Sequence, residues 1–97
     1  MKHHKFKIYA ERIAEEFDIS IKALFCKNKS RNIVDARYIL YLTCAKKGFK
    51  PCDIERLMAK NKYKIKHNSI LHGIDVMKNR IEFEDDYRDL VDELCMI

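Results

Sequence analysis

Glycine and proline, the residues that most often interrupt a helix, are scarce in this chain: it has two glycines, one proline and no tryptophan in 97 residues. Charged residues make up 36% and apolar residues 47%, a composition typical of helix-rich globular proteins and not of disordered ones. A chain of this length can build one modest core. We therefore predict one all-α domain over residues 1–97, a bundle of about six helices.

Several motifs that carry catalytic chemistry are also missing. The sequence contains no glycine-rich phosphate loop, no nucleophile motif and no convincing pair of catalytic carboxylates. His67 and His72 are separated by four residues and could end a zinc finger, but the upstream pair of cysteines is absent. We expect no enzyme activity, no bound nucleotide, no metal and no cofactor.

Cysteine spacing and hydropathy indicate the compartment. None of the four cysteines, Cys26, Cys44, Cys52 and Cys95, forms a C-x-x-C pair, so we expect reduced thiols that mostly occupy core positions. The first residues, MKHHKFKIYAERIAEEF, carry charges where a secretory signal would be apolar. No apolar run approaches the ~20 residues of a membrane span. These features predict a cytoplasmic protein without a membrane partner.

Positive charge is abundant and unevenly distributed. Residues 1–80 hold 19 Lys and Arg against 8 Asp and Glu, or +11, whereas residues 81–97 hold one Arg against 7 acids, or −6. A body this basic favours a polyanionic partner. The acidic segment either repels that partner, and so orients the domain, or is simply the solvated face of a last helix.

Apolar side chains recur at helical spacing along the whole chain. The expected core positions are, in order, Phe6, Tyr9, Ala10, Ile13, Ala14, Phe17, Ile21, Leu24, Phe25, Ile33, Ala36, Leu40, Tyr41, Cys44, Ile54, Leu57, Met58, Ile70, Leu71, Ile74, Met77, Ile81, Tyr87, Leu90, Val91 and Leu94. We predict that Ser20 caps a short helix, that Gly48 ends the longest one, and that Pro51 begins the next.

The segment PCDIERLMAKN predicts a short helix, and a second helix is expected from about Asn68 to Ile81. Two short helices around a polar linker form the pattern of a helix-turn-helix, whose second helix reads base edges in the major groove. His67, Asn68 and Ser69 are short and polar enough for that task, and His72 lies one turn further along. Alternatively, Asn68 or Ser69 merely caps the helix.

Lysines precede this second helix at alternating positions. If residues 60–66 are extended, Lys60, Lys62, Lys64 and Lys66 would project to one side and line up along DNA phosphates. The alternative is an exposed, solubilising loop. A second basic cluster, Lys27, Lys29 and Arg31, lies where the longest helix begins, and an external anion could relieve the unfavourable placement of cations there.

The chain resembles the C-terminal DNA-binding domain, domain IV, of the bacterial chromosomal replication initiator DnaA from about Ile13 to Leu94. The resemblance is carried by the segments IAEEFDISIKALF, SRNIVDARYILYL, DIERLM, KHNSILHGIDVMKNRI and DYRDLVDEL. The most specific of them is KHNSILHGI, since the family begins its recognition helix with an acid-His-Ser/Thr-Ser/Thr-Val-Leu-His-Ala run.

The resemblance implies roles for particular residues. The residues in the positions where the family reads bases are His67, Asn68, Ser69 and His72. Lys29 and Arg31 match the basic loop that reaches the minor groove and backbone, and Arg37 matches a further arginine turned toward DNA. Lys66 replaces an acid, Asn68 replaces a hydroxyl residue, and AKNKYKIK is about four residues longer than the usual turn. The preferred DNA sequence should therefore differ from the family's box.

The sequence thus predicts a reader of double-stranded DNA that marks an origin or a promoter, as a replication or transcription regulator. We expect a freestanding reader, of the kind found in phages and mobile elements, with Lys62, Lys64 and Lys66 on the DNA as well. A non-catalytic adaptor that keeps the fold but binds a protein is the alternative, and RNA binding is a weaker third. Whether the chain forms a homodimer or contacts a replication protein stays open.

Overall fold

Six helices make up the structure, a computed structural model that describes residues 2–27 and 29–97. The helices are α1 (Lys2–Glu16), α2 (Ile21–Leu24), α3 (Arg31–Lys46), α4 (Pro51–Lys60), α5 (His67–Arg80) and α6 (Asp85–Cys95). No strand occurs in the described ranges. The predicted all-α bundle of about six helices is confirmed.

Helix α3 is the centre of the bundle, and each of the other five helices packs against it. Its residues from Ile39 to Cys44 are all buried, so the second half of the helix is enclosed on every side. A helix buried all round must be mostly apolar, and the hydroxyl groups in this stretch are those of Tyr41 and Thr43. The core is therefore built around α3.

The predicted helix ends at Ser20, Gly48 and Pro51 are confirmed. The Ser20 hydroxyl accepts a hydrogen bond of 3.0 Å from the backbone N–H of Ala23, as an N-cap does. Gly48 follows α3 with a φ of +90°, a conformation that costs glycine little. Pro51 is the first residue of α4, where its missing N–H is of no consequence.

Some predicted core positions are wrong. Ile21 and Leu71 are 41% and 43% exposed, because α2 is too short to bury more than one face and Leu71 lies on the outer face of α5. Among the cysteines, Cys26 and Cys52 are exposed and Cys44 is buried. Helix α1 begins four residues earlier than the first apolar side chain of its stripe, Phe6.

A glycine allows α5 to approach α3 closely. A Cβ atom at Gly73 would lie 2.7 Å from Cδ1 of Tyr38 and 3.0 Å from Cδ2 of Tyr41, both on α3. Distances this short cannot be accommodated unless the rings or the helix shift. The absence of a side chain at Gly73 therefore sets the spacing between the two helices.

Replacing Gly73 by valine should lower the free energy of unfolding by about 2 kcal/mol, a typical cost of overpacking a core. The added methyl groups would push α5 away from Tyr41, which is fully buried and has nowhere to go. Urea unfolding followed by circular dichroism measures the effect. The exposed Asn79→Val variant on the same helix is the control, and an equal loss in both would refute the close-approach explanation.

None of the helices in the described part of the chain is both long and apolar enough to cross a membrane.

Candidate nucleic-acid interface

The first turn of α5 is exposed. Helix α5 begins at His67, its N-cap is Lys66, and residues 66–69 are all exposed to solvent. No side chain caps this end of the helix, so its first backbone N–H groups point outward. The alternative in which Asn68 or Ser69 caps the helix is wrong, because both residues lie inside the first turn.

An uncapped helix N-terminus carries a partial positive charge and outward N–H groups, which together favour an anion such as a phosphate. Asn68 and Ser69 make no side-chain hydrogen bond to another described residue. Their polar groups are therefore available to a ligand at the helix tip. This is the geometry that base reading requires, since the reading side chains must be exposed and short.

A groove runs between α3 and α5 beside this helix tip. Two adjoining hollows of about 320 and 400 Å³ share Val34, Arg37, Tyr63, Ile65 and Ser69 in their walls. We call their union the groove. The remaining lining residues are Lys27, Lys29, Tyr38, Tyr41, Lys64, Lys66, Asn68 and His72. No carboxylate occurs among the described residues that line it.

Four lysines from two separate segments surround the groove, and we call them the lysine rim: Lys27, Lys29, Lys64 and Lys66. Two come from the segment before α3 and two from the segment before α5. The packing of α3 against α5 brings these two segments together. Two basic clusters that are about 35 residues apart in sequence therefore form one cationic surface around a concave site.

The predicted row of four alternating lysines is only partly correct. Lys60 is the last residue of α4 and lines a different hollow, beside α1 and α2. Lys62 is exposed and has a φ of +66°, so the backbone turns there instead of running straight. Of the four, Lys64 and Lys66 line the groove.

The resemblance predicts that Arg37 faces DNA, but the structure places this residue inside the fold. The residue is 5% exposed, and its guanidinium donates to the carbonyl oxygens of Leu24 at 3.0 Å and Cys26 at 2.7 Å. A third hydrogen bond of 3.1 Å goes to the Tyr63 hydroxyl, and the guanidinium carbon lies 4.9 Å from the Tyr63 ring centroid. Arg37 therefore acts as a positioning residue that holds both lysine-bearing segments.

Arg37 is buried and does not face outward because its long side chain reaches backbone and side-chain acceptors on neighbouring segments. Position 37 falls on the inward stripe of α3, yet its guanidinium extends to the end of α2 and to the segment before α5. Because five N–H donors radiate from one plane, arginine can satisfy several separate acceptors at once. The Arg37 cation lies below the groove, and the lysine rim lies at its edge.

The other predicted contact residues are exposed. The Arg31 side chain, at the first position of α3, is 79% exposed, with its Nε 3.9 Å from Oδ2 of Asp35. His67 lies with Nδ1 3.5 Å from Oε1 of Glu55 on α4, a contact that becomes an ion pair when the imidazole is protonated. The His72 ring meets the edge of Tyr38 with centroids 6.3 Å apart.

A polar network outside the predicted site residues connects α5 to α3 and α6. Asp35 on α3 is 4% exposed, and its carboxylate accepts two hydrogen bonds from Arg80 on α5, at 3.2 and 3.4 Å. Tyr87 on α6 donates to the same carboxylate at 2.8 Å. Burial, followed by this hydrogen bond, raises the pKa of Tyr87 to about 12. The sign of this network in the sequence is that an acid, Asp35, stands between the predicted core positions Ile33 and Ala36 of α3.

Negative charge collects elsewhere in the structure. A hollow between α1, α3 and α6 is lined by Glu16, Asp86, Asp89 and Glu93 together with apolar residues. Helix α6 packs on α1 and α3, and none of its residues lines the groove. Cations also occur away from the groove, since Lys2, Lys5 and Lys47 surround Phe49. Among the cationic regions of the described part of the chain, the groove is the one next to the exposed tip of α5.

In the described ranges, no group of three or more His, Cys, Asp or Glu side chains could hold a metal ion. Comparison with protein-family models, with curated proteins and with solved structures finds no match to the chain.

Proposed function

We propose that the protein binds double-stranded DNA sequence-specifically, with α4, the turn of residues 61–66 and α5 serving as a helix-turn-helix. The single observation that supports this most strongly is the exposed, uncapped tip of α5 beside the lysine rim. A duplex offers phosphates to the lysines and base edges to the helix tip at the same time. The proposed biological role is to mark an origin or promoter, as a replication or transcription regulator of a phage or mobile element.

The contacts would divide into two classes. The lysine rim, Lys62 and Arg31 would hold the phosphates and fix the register of the protein on the duplex. His67, Asn68 and Ser69 would lie in the major groove, where each base pair presents its own donors and acceptors. Arg37 would act indirectly, through the two segments that it holds.

Two further residues on α5 fit this interface. Leu71 is 43% exposed on the outer face of the helix, where an apolar side chain can contact a thymine methyl group. His72 lines the groove one turn after Asn68 and can donate or accept at the edge of the interface. The proposed site therefore contains an apolar reader as well as polar ones.

The first experiment is selection of bound sequences from a random duplex library, followed by titration of the enriched duplex at several salt concentrations. We expect an enriched motif and an affinity whose logarithm falls linearly with the logarithm of the salt concentration. Absence of any DNA retention at low salt would reject the proposal and favour the protein-binding adaptor.

Replacing Asn68 by alanine tests the base-reading role. Asparagine can bond bidentately to adenine, so the change should cost about 1–3 kcal/mol on the selected duplex and little on random DNA. Fluorescence anisotropy on both duplexes measures the difference.

Asn79→Ala is the matched control, because it is the same change on the same helix at an exposed position near the opposite end. It should leave both affinities unchanged. If Asn68→Ala weakened binding to the two duplexes equally, Asn68 would not be a base reader.

A further inference from the structure

Phe83, in the turn between α5 and α6, is an unusually exposed aromatic residue. It is 84% exposed. Large aromatic side chains stabilise interfaces strongly when they are buried there. An exposed ring such as this one is therefore a candidate contact for a partner surface. Its neighbours in sequence are acidic: Glu82, Glu84, Asp85 and Asp86. We call residues 82–86 the acidic turn.

The charge around Phe83 restricts what could cover it. Glu84 pairs with Arg80 and Asp85 with Arg88, while Glu82 and Asp86 are exposed. Four carboxylates around one ring repel DNA phosphates and anionic lipid headgroups. A suitable partner surface would offer an apolar hollow with cations at its edge.

Such a hollow exists between α1, α2 and α4. Its volume is about 130 Å³, close to the ~150 Å³ of a protein cavity that holds benzene. Apolar side chains line it: Phe6, Ala10, Ile21, Phe25 and Leu57. His3, Lys7 and Lys60 lie at its edge with one acid, Glu11. We call it the α1–α2–α4 hollow.

Phe83 cannot enter the hollow of its own chain. The start of α6 is held against the end of α1, where the rings of Tyr87 and Phe17 lie 5.7 Å apart. Phe6 in the hollow is eleven residues earlier in sequence, which is roughly 16 Å along a helix. Contact between the acidic turn and the hollow therefore requires two copies of the chain.

We propose that the acidic turn of one copy binds the α1–α2–α4 hollow of a second copy, with the Phe83 ring inside the hollow. The carboxylates of the turn would face Lys7 and Lys60 of the neighbour. Because the two surfaces differ, the contact is head-to-tail, and each bound copy offers a free surface to another. Neither surface includes a lining residue of the groove, so the proposed DNA interface stays open.

Sedimentation velocity of the protein without DNA tests this inference independently of DNA binding. We expect the sedimentation coefficient of the wild type to rise with concentration, and to rise less at high salt. Phe83→Ser and Ile21→Asp should each weaken association at least tenfold. Ile21 is exposed and occupies the first turn of α2, where aspartate is favourable, so both variants should fold.

Met96→Ser is the matched control, since Met96 is 88% exposed but lies outside both surfaces. It should associate like the wild type. Circular dichroism of all variants checks that the helices are retained. A wild type that stays monomeric up to millimolar concentration, or a Phe83→Ser variant that associates normally, would overturn the proposal.

Mixing the two single variants tests whether the acidic turn of one copy pairs with the hollow of another and not with a second acidic turn. The Phe83→Ser copy keeps an intact hollow, and the Ile21→Asp copy keeps an intact acidic turn. Their equimolar mixture should form a one-to-one pair that does not grow further. A mixture that remains monomeric while the wild type associates would contradict the head-to-tail arrangement.

Discussion

Replacement of all four lysines of the rim by glutamine is expected to lower the affinity for duplex DNA by about three orders of magnitude at 0.15 M salt. Each lysine that neutralises a phosphate contributes roughly 0.9 to the slope of log affinity against log salt. The slope should therefore fall by about 3.6. Titrations at four or more salt concentrations measure both quantities on the same duplex.

The loss should be uniform across DNA sequences, because phosphate contacts carry no base information. A control variant removes the same net charge elsewhere: Lys5, Lys46, Lys47 and Lys50 are replaced by glutamine. These lysines lie around or beside Phe49, near the end of α3 that is remote from the groove. An equal fall in slope for the control would show that net charge, and not the rim, determines binding.

Replacement of Arg37 by alanine is expected to lower the free energy of unfolding by about 3 kcal/mol, or roughly 1 kcal/mol for each of its hydrogen bonds to Leu24, Cys26 and Tyr63. The change would leave the carbonyls of Leu24 and Cys26 and the hydroxyl of Tyr63 without their donor. Total stabilities of small domains are only about 5–15 kcal/mol, so urea unfolding should resolve the loss easily.

Arg37→Lys should recover only part of this stability, because an ammonium group cannot reach three acceptors in one plane. Arg31→Ala removes an exposed arginine from the same helix and should change stability little. The salt slope separates a buried positioning role from a direct phosphate contact. A fall of about 0.9 in the slope for Arg37→Ala that Arg37→Lys restores, because lysine keeps the charge, would indicate that this residue contacts a phosphate after all.

Local signals in the sequence predicted the helices well. The hydrophobic stripes identified all six helices, and Ser20, Gly48 and Pro51 have the expected positions at helix ends. These features depend on residues within one or two turns of each other, which is why a periodic pattern reveals them. Ile21 and Leu71 show the limit of the method, since a stripe indicates which residues share a face but not what covers that face.

The sequence predicts only the part of the candidate site that is formed by residues close together in the chain. The exposed polar tip of α5 follows from the residues at positions 66–69 and the periodicity after them. The groove does not follow from the sequence, because it is formed by two distant segments that meet through the packing of α3 against α5. The position of Arg37 depends on acceptors from α2 and from the segment before α5, none of which is a sequence neighbour.

The sequence by itself therefore determined the class of the fold, the approximate helix boundaries and the excess of positive charge. Those properties depend on composition and on spacing within a helix. The tertiary structure decided which lysines share a surface, that Asp35 connects α5 and α6 through Arg80 and Tyr87, and that Phe83 is exposed. Such arrangements depend on how close distant segments come, and Gly73 sets that distance through the space its missing side chain leaves.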